Sequence, residues 1–323
     1  MRILFIYREY MGRRKNYGLM MQKLGHEVIF LHASKKSNPK KNDIITIKHI
    51  KKYKPDLIWL LTSYYLVHNV ITKETQEYIR KKKIPIALYG AYAAHAPYTE
   101  WMKTWKKIDF LFIHHKGMVN WLNSKGVEAH YMPLAFYPEQ YYKTNNTKKY
   151  NITFMGNLQN NIHRKGNRRI EYIQSLKEYG ITVFGESFRS KLKGIKVYKY
   201  STHIDQRRIY ARSKINLGMP FTNSNLDFYK KMPNVYNIKN RFFEIPATNN
   251  FLLTIRCPDF LEFFDEDAVG YFDDNKESLK EAVDKYLKDD DIREKMASRA
   301  YKIAQDNTYL HRFKDMFKII KNN

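Results

Sequence analysis

The chain of 323 residues holds a single cysteine, Cys257. That excludes a disulfide framework and any cysteine-based zinc cluster, and it fits a reducing compartment. Long apolar runs are also missing. Asp56-Leu-Ile-Trp-Leu-Leu61 is among the longest, far short of the roughly 20 residues needed to cross a bilayer. No transmembrane segment is expected. Met1-Arg-Ile-Leu-Phe-Ile-Tyr7 leads straight into a strand pattern without a small-residue cleavage site, so no signal peptide is read there, and a cytoplasmic location, free or at the membrane periphery, is expected. Acidic residues are scarce, 32 against 58 Lys and Arg, for a formal net charge of +26. A content of 43% apolar and 15% aromatic residues excludes a disordered basic tail, which could not bury enough surface to offset chain entropy. At about 100–200 residues per domain, the length predicts two domains.

The charge is unevenly spread. Residues 1–150 carry +17, residues 151–250 carry +12, and residues 251–323 carry −3. A codon bias toward Lys, Asn, Ile and Tyr would not leave the last quarter acidic. The first 250 residues therefore face either plain solvent or an anionic partner: a nucleotide, a nucleic acid or an anionic membrane surface. The basic clusters Arg13-Arg-Lys15, Lys51-Lys52, Arg80-Lys-Lys-Lys83 and Arg207-Arg208 are scattered rather than gathered in one tail.

In the first half, short apolar runs alternate with helical patterns. Strands are expected at Ile3–Tyr7, Val28–His32, Asp56–Leu61, Ile84–Tyr89, Phe110–His114 and Ala129–Met132. Helices are expected over Asn16–Leu24, Ile71–Lys82 and Met118–Ser124. This alternation predicts an α/β architecture with a parallel sheet covered on both faces, whose ligands sit beyond the carboxyl ends of the strands. Those ends are Tyr7–Arg14, Ser63–Tyr65, Gly90–Tyr98 and His114–Gly117. His114 and His115, adjacent on a strand, are expected on opposite faces in a structural role. Tyr142–Tyr150 is polar and aperiodic and reads as a linker. A second strand and helix series follows it from Ile152.

Two segments carry chemistry. Gly156-Asn-Leu-Gln-Asn-Asn-Ile-His-Arg164-Lys165-Gly166 follows a strand and opens a helix, where glycine, helix N-terminal amides and basic side chains can receive a phosphate. It is neither a Walker loop nor a G-x-G-x-x-G turn, and an ordinary solvated basic loop reads equally well. In Asn237-Ile-Lys-Asn240-Arg241-Phe-Phe-Glu244-Ile-Pro-Ala-Thr-Asn-Asn250, Glu244 sits in an otherwise apolar helical turn. It is either exposed on an amphipathic helix or accepts hydrogen bonds from ligand hydroxyls. Arg241, three residues earlier, shares its face and can pair with it or with a phosphate.

These blocks resemble a family. Phe154-Met-Gly156, His163-Arg-Lys-Gly-Asn-Arg-Arg169, Thr182-Val-Phe-Gly185, Ile209-Tyr-Ala-Arg-Ser-Lys-Ile-Asn216-Leu and Asn240-Arg-Phe-Phe-Glu244-Ile-Pro-Ala with Phe251-Leu-Leu-Thr254 come in order. So do Val269-Gly-Tyr-Phe-Asp273, Arg293-Glu-Lys-Met-Ala297 and Asn307-Thr-Tyr-Leu-His-Arg312-Phe. From Ile152 to Phe317 the chain is similar to GT-B glycosyltransferases of the CgeB-like (spore maturation) branch, near the retaining family 4. The first half agrees only in layout and in Tyr131-Met-Pro-Leu-Ala135.

The resemblance implies a GT-B fold of two Rossmann-like domains facing across a cleft. An acceptor domain would span residues 1–147 and a donor domain residues 148–306, with residues 307–323 forming a helix that crosses back to the first. It implies a nucleotide-sugar donor, UDP-linked before GDP-linked, held by Gly156, Arg164, Lys165, Asn240, Arg241 and Glu244. Glu244 would take the ribose hydroxyls. It implies no cofactor and no metal, since basic residues and a helix N-terminus stabilise the leaving diphosphate. Two departures stand out. The wider retaining family pairs this glutamate with another, seven intervening residues earlier, where this chain has Tyr236. The first-domain glycine-rich turn is reduced to Gly12. Retention is favoured over inversion, and an inverting enzyme would need a base in the first domain: His95 first, then Glu9 and Glu100.

In this architecture the basic first domain binds the acceptor, with Arg13, Arg14, Tyr92 and Tyr98 as contacts. Tyr64, Tyr65, Tyr89, Trp101 and Trp105 are further stacking surfaces. Two acceptors fit: double-stranded DNA with hydroxymethylated bases, or a cell-surface glycan or lipid-linked polymer approached from an anionic membrane. A non-catalytic nucleic-acid-binding protein on a degenerate GT-B scaffold is the alternative from another class.

Overall fold

The computed structural model describes residues 1–7, 15–33, 39–63, 72–92, 105–156, 164–185, 192–199, 202–220 and 236–322. The chain divides into two compact units, one holding Met1–Pro133 and Tyr309–Asn323, the other Leu134–Asn225 and Tyr236–Thr308. Each is built on a six-stranded sheet whose strands all pair in parallel.

In the first unit the strands are β1 (Arg2–Tyr7), β2 (Glu27–His32), β3 (Leu57–Ser63), β4 (Ile86–Tyr92), β5 (Phe110–Ile113) and β6 (His130–Tyr131), in the order β2-β1-β3-β4-β5-β6. The central strands are near-continuous apolar runs because both sheet faces are covered. Ile3 to Ile6 and Leu57 to Trp59 are completely buried. The C-terminal helix Tyr309–Asn322 closes one face, setting Phe313 and Phe317 on the Trp59 ring at 5.4 and 5.5 Å. Tyr17 donates to the Tyr309 hydroxyl at 3.0 Å.

Three expectations for this unit need correction. His114 and His115 lie beyond β5, both buried, with rings 4.3 Å apart. The strand has already ended, so the alternation that would have separated them does not apply. Trp105 and Tyr89 are 1% exposed and belong to the core, the Tyr89 hydroxyl donating to Pro133 O, so neither is a stacking surface. A helix over Pro39–Tyr53, absent from the sequence reading, links β2 to β3.

The second unit contains β7 (Tyr150–Met155), β8 (Ile181–Phe184), β9 (Lys196–Tyr198), β10 (Ser213–Gly218), β11 (Leu252–Ile255) and β12 (Gly270–Phe272), ordered β12-β11-β10-β7-β8-β9. This is the doubly wound Rossmann order, and its direction reverses between β7 and β10. Leu217 stands opposite Phe154, and Met155 opposite Phe184, so Gly156, Gly185 and Gly218 lie together at the carboxyl ends. The polar stretch before β7 is tied down. Lys148 donates to Ala211 O and to Asn250 Oδ1 at 3.1 and 2.8 Å.

Candidate functional site

The carboxyl end of β7 is shaped by two glycines. Gly156 N donates to Phe184 O at 2.9 Å, and Gly185 N donates to Tyr198 O at 2.8 Å. A Cβ on Gly185 would lie 2.0 Å from Gly156 O, and a Cβ on Gly156 would lie 2.8 Å from Arg241 Nη1. The Arg241 guanidinium thus rests directly over the Gly156 backbone. Only a residue without a side chain permits that approach.

A second guanidinium shares this place. The charge centres of Arg169 and Arg241 lie 5.8 and 5.9 Å from the centroid of the Phe154 ring, which is itself buried in β7. Burial, and then the positive charge of Arg241, push the Arg169 guanidinium down to about 10. Two like charges held around one ring at a strand end form a site prepared for an anion with more than one negative charge.

Arg241 opens the short helix Arg241–Ala247, whose residues from Phe242 to Ala247 are all buried. One turn on, Glu244 is 5% exposed and accepts a hydrogen bond from the Tyr210 hydroxyl at 3.3 Å. It is therefore not a solvated residue of an amphipathic helix. The helix packs flat on β10, where a Cβ on Gly218 would come within 3.1 Å of Phe242 and Thr254. Pro246 sits in its last turn, and Asn249 follows in left-handed backbone at φ 57°. A buried carboxylate one helical turn from a guanidinium can take ligand hydroxyls while the cations take an oxyanion.

The structure brings together Gly156, Arg241 and Glu244 of the sequence-selected residues. Asn240 stands at the start of the same helix, but its Nδ2 donates to Ala135 O at 2.9 Å, anchoring the strand-exit chain within this unit. Arg164 and Lys165 form the first turn of helix Arg164–Ser175, and their side chains lie outside the described residues. The same holds for the side chain of Tyr92, the last residue of β4. Glu9, Arg13, Arg14, His95, Tyr98 and Glu100 fall outside the described residues altogether. Arg169 is the residue that sequence reasoning missed. It lies four residues after Lys165, but Arg168 stands at the same spacing from Arg164, so helical spacing alone does not single it out. Its neighbour Arg168 is instead ion-paired with Asp274.

Among the described residues, no group of three or more His, Cys, Asp or Glu is arranged to hold a metal, and no helix is long and apolar enough to cross a membrane.

Residues 164–318 match a family model described as "Glycosyl transferase-like". No curated protein matches the chain by sequence. Among solved structures, an alpha-glucosyltransferase in complex with UDP and a 13-mer DNA containing a central A:G mismatch superposes with a TM-score of 0.70. It has 14% identity and covers 99% of this chain and 100% of that one. Sucrose-phosphate synthase from Thermosynechococcus elongatus gives 0.67 at 10% identity, covering 100% and 98%. The Escherichia coli trehalose-6-phosphate protein bound with UDP-2-fluoro glucose gives 0.68 at 10% identity, covering 100% and 99%. The fold is GT-B, a pair of Rossmann-like α/β units.

Proposed function

We propose that this chain is a glycosyltransferase that moves a sugar from a UDP-linked donor to an anionic acceptor. It works with retention and without a metal ion in the chemistry. The observation that carries this reading is the Arg169–Arg241 pair around Phe154, with buried Glu244 one turn along the helix that Arg241 opens. The two guanidiniums and the Gly156 backbone would receive the diphosphate and stabilise its charge as the glycosidic bond breaks. Fixed cations do this without a divalent ion. Glu244 would accept the ribose hydroxyls, with Tyr210 holding its other oxygen. Arg164 and Lys165, at the start of helix Arg164–Ser175, would complete the phosphate side.

The acceptor is duplex DNA carrying hydroxymethylated bases. The +17 of residues 1–150 exceeds what a nucleotide diphosphate requires, and one structural neighbour is an alpha-glucosyltransferase in complex with UDP and a 13-mer DNA. Arg13, Arg14, Tyr92 and Tyr98 are the proposed acceptor contacts. His95 is the first candidate to orient the reacting groups, with Glu9 second.

The test incubates the protein with UDP-glucose and duplex DNA containing hydroxymethylcytosine, in excess chelator, and measures hexose addition by mass spectrometry. Transfer is expected, and Glu244→Ala is expected to abolish it while the circular-dichroism spectrum holds. Unchanged transfer in that variant overturns the site. Transfer to a teichoic-type polymer or glycolipid, but not to DNA, replaces the acceptor.

A further inference from the structure

The amino ends of the first unit's strands, the end away from the expected ligand side of that sheet, carry an unusual concentration of cations. β3, β4 and β5 are sheet neighbours, and each is led into by basic residues. Lys51, Lys52 and Lys54 precede β3, Arg80 to Lys83 precede β4, and Lys106 and Lys107 precede β5. With strands about 4.8 Å apart, these three lead-ins form one row. Between the last two lies a depression of about 330 Å³, rimmed by Arg80, Lys83, Lys106 and Lys107 over Ile79 and Ile86. Its one carboxylate, Asp109, is occupied with the Ile86 amide at 2.8 Å. Among the described residues, no carboxylate pairs with Arg80, Lys83, Lys106 or Lys107, and all four are exposed.

A second observation comes from the backbone. The four described helices of this unit that precede the C-terminal helix, and lead into β2, β3, β4 and β6, each end with a residue in left-handed backbone. Two use glycine, Gly25 at φ 82° and Gly126 at φ 70°. The other two use lysine, Lys54 at φ 45° and Lys83 at φ 55°. Lysine is disfavoured there and glycine preferred. Both exceptions fall in the basic row. A residue kept against its conformational preference points to a use for its side chain.

We infer that this row is a non-catalytic docking surface for the phosphate backbone of duplex DNA, holding the polymer while the reactive site works on a base elsewhere along it. The choice of DNA rests on the acceptor reading above. The composition of the row supports it over a lipid surface, because among the described residues none of the exposed large hydrophobics, such as Ile44 or Leu19, lies in the three lead-ins. Peripheral membrane binding uses such residues for insertion, whereas phosphate tracking needs charge alone.

The experiment measures binding of the full chain to a fluorescent duplex by anisotropy across 50–200 mM salt. It compares the natural protein with a Lys54→Gly, Lys83→Gly, Lys106→Gln, Lys107→Gln variant. The glycines suit the left-handed positions, so the fold is kept. Each phosphate that the variant no longer neutralises is expected to flatten the log–log salt slope by about 0.9, and affinity at the lowest salt to fall at least about tenfold. Its thermal shift with UDP-glucose should be unchanged. An unaltered slope in the variant overturns the docking surface, while hexose transfer to DNA would leave the acceptor reading standing. Patch-dependent binding to phosphatidylserine vesicles without DNA binding assigns the row to a membrane instead. If the natural protein shows no DNA binding and no DNA modification, both ideas are overturned.

Discussion

Replacing Arg241 with methionine should make the ligand-free protein slightly more stable and the liganded protein much less so. Both guanidinium carbons lie within 6 Å of the Phe154 centroid, at 5.8 and 5.9 Å, so the charges are at most about 12 Å apart. At an effective dielectric of about 20, that separation corresponds to a repulsion of at least ~1.4 kcal/mol, and salt reduces it to about 1. Arg169 records the strain, since burial and Arg241 hold its pKa down at about 10. Its folded value lies below its unfolded one, so the penalty is fully present at neutral pH and is relieved only as pH rises through about 10. Methionine keeps a flexible apolar stem against Phe154 and removes one charge. A gain of about 1 kcal/mol would raise Tm by ~2–4 °C for a unit of this size. Saturating UDP should give the opposite result. Removing a charge-assisted hydrogen bond of about 1.5–3 kcal/mol weakens Kd roughly 10- to 150-fold, readable by calorimetry. If Arg241→Met lowers the ligand-free Tm and binds UDP like the natural protein, the two-cation anion site is refuted.

Four other outcomes follow. Glu244→Gln should preserve the fold but raise the UDP-sugar Kd by about 10- to 100-fold, because the amide keeps one acceptor oxygen and loses the charge; titration calorimetry checks this. Gly185→Ala should cost about 2–3 kcal/mol in urea denaturation, since its Cβ would meet the backbone oxygen of Gly156 at 2.0 Å, whereas Gly156→Ala meets only a movable guanidinium and should lose binding more than stability. Asn240→Ala should cost about 1–3 kcal/mol by stranding Ala135 O, with UDP affinity unchanged, which separates its structural role from the site. His26 lies against Phe317 with its pKa lowered by burial, then by the chain's amino terminus and Lys321, so it folds neutral. The first unit should lose stability as pH falls through and below 6.5, and His26→Gln should flatten that dependence in thermal melts at pH 7.5 and 5.5.

Much of the fold was legible because parallel strands buried on both faces are written as unbroken apolar runs, as in Ile3–Tyr7 and Asp56–Leu61. The helix Pro39–Tyr53 escaped because its inward face is partly polar. Asn42, Asp43 and Thr46 are buried with Ile50, Asp43 taking the hydroxyls of Thr72 and Thr75, while Ile44 is 68% exposed. Hydrophobic periodicity cannot find a helix that buries a carboxylate and exposes an isoleucine. At the site, Glu244 and Arg241 were visible as a charged pair inside an apolar turn. Choosing Arg169 over Arg168 was not possible from sequence, because Arg168 is claimed by Asp274 in a contact spanning 106 residues. The expectation that His114 and His115 face opposite ways failed for a local reason: the strand stops with its apolar run at Ile113, one residue before the expected end at His114.

The most direct test of the central claim is a thermal-shift titration of the natural protein and of an Arg169→Met, Arg241→Met variant with UDP-glucose in excess chelator. A ligand at 100 times its Kd adds about 2.7 kcal/mol, several degrees of Tm, and the natural protein should show that gain without metal. The double variant should show none while melting at or above the natural ligand-free temperature. No shift with any UDP- or GDP-linked sugar, or an equal shift in both proteins, would contradict the account.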